Sequence, residues 1–175
     1  MRLFLGVELP AHWRQGLASG TAALERAGVR ANFTLPDNYH LTLAFLGETG
    51  RVEEAAAALH QAQAPPFSLR TTSPGCFPRK GGDIWWLGVE PVPGLLTVQR
   101  NLASVLEQAG FSLEARPYRP HITLARKVRS PAGLEPLLIP GLFPTLETQV
   151  STLTLFSSER LEGVLRYLPL YRASL

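Results

Sequence analysis

The chain has 175 residues, 45% of them apolar and only 18% charged, a balance that excludes a disordered polymer and suits one domain or two small lobes. Cys76 is the only cysteine, so there is no internal disulfide, and a chain of this size needs none. The net charge of +3 tolerates a phosphate-bearing ligand without demanding one.

In chain order, residues 2–9 (RLFLGVEL) are apolar and compact, which predicts a buried strand ended by Pro10. Residues 11–28 have a helical rhythm with Gly28 as the stop. NFTLP then leads into NYHLTLAFLG, whose β-branched and apolar content predicts a strand ending at Gly47. Residues 52–64 are rich in Ala, Glu and Gln and predict a helix, ended by the double proline at 65–66. FSLRTT and DIWWLGVE read as strands, and the turn-rich SPGCFPRKGG lies between them. Residues 94–110 predict an amphipathic helix closed by Gly110, and HITLARKV predicts another strand. Prolines break SPAGLEPLLIPGLFP into loop. ETQVSTLTLFSSE and VLRYLPLY end the chain as strands around a turn at Leu161–Gly163.

The first apolar run ends at Glu8, too early for a secretory signal, and no stretch approaches 18 apolar residues. A cytoplasmic protein without a membrane partner is the expectation. The order of elements looks doubled at roughly 80 residues, which predicts two similar α+β lobes facing each other. A cleft between such lobes is a common place for a ligand.

The sharpest signal is a repeated phrase. HLTLA begins at His40 and HITLA at His121, in a chain with only four histidines. On a strand, His40, Thr42 and Ala44 share one face, as do His121, Thr123 and Ala125, while Leu41, Leu43, Phe45, Ile122 and Leu124 turn to the other. Either motif alone reads more simply as a half-buried structural histidine, but two together are hard to assign to chance. Paired imidazoles suit in-line chemistry at a phosphodiester: one takes a proton from the attacking water, the other gives one to the leaving oxygen. Threonine hydroxyls can donate to the non-bridging oxygens. There is no G-x-S-x-G, no P-loop and no metal-ligand spacing. No metal or cofactor is expected.

These residues resemble the paired H-x-T-x motifs of the two-histidine (2H) phosphoesterases, most closely the LigT-like RNA 2′,3′-cyclic phosphodiesterases of the 2′-5′ RNA ligase family. MRLFLGVELP, HLTLAFLG, RPHITLAR and FPRKGGDIWWLGVE carry the likeness over most of the chain. It implies an α+β fold of two lobes about a pseudo-two-fold, residues 1–175 forming one two-lobed domain. Each lobe is an antiparallel sheet with helices on its outer face, and the cleft lies between them. It implies hydrolysis of a terminal 2′,3′-cyclic phosphate to a 2′-phosphate on RNA or nucleotide ends. Separately, a monomer is the expectation. His40 would be the proton donor, His121 the proton acceptor, and Thr42 and Thr123 the phosphate holders. A 2′-5′ RNA ligase, a small cyclic-nucleotide phosphodiesterase and a non-catalytic RNA-binding module are the alternatives. Relatives often carry a Trp near residues 31–33, where this chain has Ala31, Asn32 and Phe33.

Other residues are weighed against plainer roles. Arg126 looks family-like, but strict alternation puts it opposite His121, so it reaches a phosphate only if the strand ends or bulges there. Arg119 shares the His121 face by count, which Pro120 disturbs. Phe45, Phe77, Trp85 and Trp86 could stack on a base, although core packing is the simpler role. Residues 79–82 (RKGG) could follow an RNA backbone or form an exposed turn. His12 and His60 read as surface residues.

Overall fold

A computed structural model describes residues 1–175. Nine strands and three helices follow the order β1 (Arg2–Glu8), α1 (Ala11–Arg26), β2 (Arg30–Phe33), β3 (His40–Glu48), α2 (Val52–Gln61), β4 (Phe67–Phe77), β5 (Asp83–Val89), α3 (Pro93–Gln108), β6 (His121–Arg129), β7 (Glu147–Val150), β8 (Thr152–Leu161) and β9 (Val164–Ser174). The strands make two antiparallel sheets, in the orders β3-β1-β8-β9 and β2-β6-β5-β4-β7. The architecture is therefore α+β with two sheet-based lobes, consistent with a pseudo-two-fold.

The doubled order is not two halves laid end to end. β2, from the first half, pairs with β6 in the second sheet, and β8 and β9 return from the C-terminus to flank β1 in the first. What reads as one strand over ETQVSTLTLFSSE is two, β7 and β8, which belong to different sheets and part at Ser151. The turn-rich SPGCFPRKGG is also mostly strand: β4 runs on to Phe77, leaving residues 78–82 as the turn.

Two of the three helices, α1 and α3, end where the sequence places glycine. Gly28 and Gly110 follow α1 and α3 with φ of 91° and 87°. The next residue's N–H then bonds back, Val29 to the Leu24 carbonyl at 3.1 Å and Phe111 to that of Leu106 at 3.0 Å, satisfying carbonyls the helix leaves open. Each helix buries one stripe: Trp13, Leu17, Thr21 and Leu24 in α1, and Leu95, Val98, Leu102 and Leu106 in α3. α2 packs behind the first sheet on β8 and β9, and α3 lies between β3 and β4. α1 rests on the segment before β7, where Gly20 admits the Phe143 ring. One apolar core runs through both sheets, from Leu3, Leu5 and Leu41 to Leu87, Ile122 and Leu124. No helix is long and apolar enough to cross a membrane.

Candidate active site

β3 and β6 each open on a histidine, and each imidazole is anchored alike. His40 Nδ1 lies 2.8 Å from the Asn38 carbonyl, and His121 Nδ1 lies 2.7 Å from that of Arg119. A carbonyl only accepts, so Nδ1 carries the proton in both rings and Nε2 holds the lone pair when the ring is neutral. The bracing behind the two motifs matches too. The Tyr118 hydroxyl donates to the Thr42 carbonyl at 2.8 Å, and the Thr34 hydroxyl donates to the Thr123 carbonyl at 2.9 Å. Leu41, Leu43, Ile122 and Leu124 are buried behind their strands, as alternation predicts.

Alternation fails one residue later, and it fails identically in both strands. Leu5 pairs with Ala44 and Gly6 with Thr42, so Leu43 is an extra residue in β3. Trp85 pairs with Ala125 and Trp86 with Thr123, so Leu124 is the extra residue in β6. Each is a β-bulge at the fourth position of the His-x-Thr-x motif. A bulge resets which face follows. Ala44 and Ala125 are buried instead of lying beside the histidines, while Phe45 and Arg126 come out exposed. The reading of Phe45 as core is thereby corrected: it is 42% exposed, with the Arg2 guanidinium 5.4 Å from its ring centre. Arg126, which needed a bulge to join the His121 face, has one.

The surroundings of the two imidazoles differ. His40 is wrapped by Phe4, Tyr167 and Phe156, with ring centres 4.7, 5.0 and 6.0 Å away. Its Nε2 accepts a hydrogen bond from the Thr42 hydroxyl at 2.8 Å. His121 leans on Phe77 at 5.1 Å and Trp86 at 6.0 Å, and its Nε2 has no protein partner. Trp86 lies against Gly75, where a side chain would collide with the indole, so the glycine sets the wall behind His121. Trp85 faces away into the core.

Burial dominates the electrostatics. It pushes the His40 pKa down to about 4, against the bond to Asn38, and the charges of Arg126 and His121 push the same way. His121 is lowered too, first by burial, then by the charges of Arg126 and Arg119. The Arg126 charge acts on both imidazoles, and the strands that carry them, β3 and β6, touch each other. No carboxylate pairs with Arg126 or Arg119. His12 and His60 are exposed on helices, away from this group. Sequence reasoning missed Tyr118, Thr34, Phe4 and Tyr167. The alternation of β1 marks Phe4 as facing away from Leu3 and Leu5, but nothing local marks the others.

Two touching strands that each open on an identically anchored His-x-Thr phrase fit a two-histidine phosphoesterase. The profile of the 2′-5′ RNA ligase superfamily matches residues 33–162, and the chain belongs to that family. It is 33% identical to the RNA 2′,3′-cyclic phosphodiesterase of Escherichia coli K12, over 99% of this chain and 96% of that one. Among solved structures it resembles E. coli LigT complexed with 3′-AMP, with a TM-score of 0.79 and 30% identity over 99% of this chain and 97% of that one. A protein of Thermus thermophilus superposes with a TM-score of 0.80 and 29% identity, covering 100% of this chain and 98% of that one.

Proposed function

We propose that the protein is an RNA 2′,3′-cyclic phosphodiesterase in which His121 is the general base, His40 the general acid, and Thr42, Thr123 and Arg126 hold the phosphate. Water attacks phosphorus opposite the 3′-oxygen. His121 Nε2 takes the water proton, the bond from phosphorus to the 3′-oxygen breaks, and His40 Nε2 gives that oxygen its proton. The product carries a 2′-phosphate and a 3′-hydroxyl. His121 suits the first role because its lowered pKa and unengaged Nε2 keep a lone pair ready near neutral pH.

His40 must be charged to donate, and alone it resists charge. The phosphate's negative charge offsets that of Arg126 and favours the imidazolium, so the acid is armed by its substrate. The Thr42 hydroxyl, which donates to His40 Nε2 in this structure, turns to the phosphate once Nε2 carries a proton. The single observation behind this reading is the pair of identically anchored imidazoles that open two touching strands, β3 and β6. Both imidazoles and the Arg126 guanidinium come from one chain, so the proposed chemistry needs no residue of a second copy.

The test is product analysis. An oligoribonucleotide ending in a 2′,3′-cyclic phosphate, incubated with the protein in excess EDTA, gives the 2′-phosphate. A 3′-phosphate product, no product, or loss of turnover restored by a divalent ion would overturn the reading.

A further inference from the structure

Two arginines beside the site touch none of the reacting groups in the steps above, although the Arg119 charge helps to lower the His121 pKa and so acts on every substrate alike. The Phe77 ring, which backs His121, has the Arg79 guanidinium carbon 5.7 Å from its centre and that of Arg119 also 5.7 Å away. Both arginines are exposed, and neither guanidinium pairs with a carboxylate. They arrive from different elements, Arg79 from the β4–β5 turn and Arg119 from the segment entering β6. Arg79 is held in place at its backbone, where its N–H donates to Asp83 Oδ1 at 3.0 Å. Its Nη1 donates to the Pro78 carbonyl at 2.8 Å, which leaves the guanidinium's other N–H groups unengaged.

At that distance a guanidinium is drawn to the ring by a cation–π attraction that leaves its N–H donors free to meet a phosphate. From His121 the pair lies just beyond one ring contact, a short step along a nucleotide strand. Arg79 also borders an open groove of about 530 Å³ between the turn and the end of β6, lined further by Arg129, Ser130 and Asp83. It gives an emerging strand a path with more cationic than anionic side chains.

We infer that Arg79 and Arg119, set against Phe77, bind the phosphate that precedes the terminal cyclic phosphate, so that the enzyme takes oligonucleotide ends in preference to free nucleoside cyclic phosphates. This deepens the proposed function and rests on it. The neutralised phosphate also makes binding salt-dependent, with a slope of roughly 0.7 per phosphate contact for single strands.

The experiment compares wild type with Arg79→Gln, Arg119→Gln and the double variant. One arm measures kcat/KM on a trinucleotide ending in a 2′,3′-cyclic phosphate and on a nucleoside 2′,3′-cyclic phosphate. The other measures the salt dependence of binding a labelled pentanucleotide that ends in a 2′-phosphate. The wild type is expected to prefer the trinucleotide by at least about tenfold, and the double variant to lose most of that preference along with roughly 0.7 of the salt slope. Equal losses on both substrates, or an unchanged preference and slope, would overturn the inference. Failure of every form to turn over either substrate would instead sink the proposed function, and the binding arm would still decide the role of the two arginines.

Discussion

β3 and β6 are the same device built twice and then made unequal. Both begin on a histidine tied to a carbonyl two residues back, both have the threonine carbonyl braced from outside, and both bulge at the following leucine. After the bulge, one presents Phe45 and the other Arg126. One imidazole is wrapped in three aromatic rings with its Nε2 capped by Thr42, and the other leans on two rings with its Nε2 open. The backbone repeat supplies a pair of imidazoles, and the unequal packing supplies two protonation behaviours. In the proposed mechanism that inequality is what separates the acid from the base.

The comparison breaks most directly at the histidines. His40→Ala and His121→Ala are each expected to lower kcat by at least roughly 10²-fold on a 2′,3′-cyclic phosphate end, with unchanged circular dichroism. Because the two act in one step, the double variant should be little worse than either single one. Near-native turnover by either single variant would show that its strand is a relic of the repeat.

The residues after the bulges come next. Arg126→Gln is expected to cost at least about tenfold in kcat/KM, as for loss of one donor to a reacting phosphate. Phe45→Leu, at the matching place in β3, should cost far less. Equal effects from steady-state kinetics would mean that the bulges create no functional difference between the strands.

A smaller effect lies in the pH profile. His121 is held below the ordinary value of 6.5 by burial and by Arg126, so the acid limb of kcat/KM should fall below pH 6.5. Arg126→Gln should move that limb upward. A limb above the ordinary histidine value in the native enzyme would contradict the open, neutral imidazole described here.

The smallest expected effect is on stability. Folded His40 titrates near pH 4 and the unfolded residue near 6.5, so between those values the unfolded chain binds a proton that the folded one refuses. The stabilisation by His40 is therefore whole above about pH 6.5 and is lost as pH falls toward 4. In urea titrations across that window, His40→Gln should flatten the dependence of stability on pH by close to one proton. An unchanged slope would mean that the aromatic cage does not exclude charge.

The chemistry is more legible in the sequence than the topology is. A period of two through HLTL and HITL is enough to put two histidines and two threonines on one side and the leucines and isoleucine behind. The bulges leave no mark on it, because an extra residue in a strand is set by the partner's register, and Leu43 and Leu124 look like ordinary core positions. Alternation misplaces Phe45 and Ala44 for that reason. The pairing of β2 with β6 rests on contacts such as that of Thr34 with Thr123, 89 positions apart, and the split at Ser151 likewise follows from two different distant partners. Local patterning encodes neither. Helix ends are readable because Gly28 and Gly110 relieve a steric conflict that is local.

The return of β8 to the side of β1 carries a consequence for synthesis. β1 leaves the ribosome long before this partner does, and the bond from the Thr154 hydroxyl to Glu8 spans 146 positions. Until then the nascent chain holds β1 with one flank bare, beside a His40 whose cage lacks Phe156 and Tyr167. Pairing at such separation folds slowly, since the loop must close before any contact rewards it. The burial that makes the His40 imidazole resist protonation in the finished protein is therefore complete only when β8 and β9 have joined the sheet.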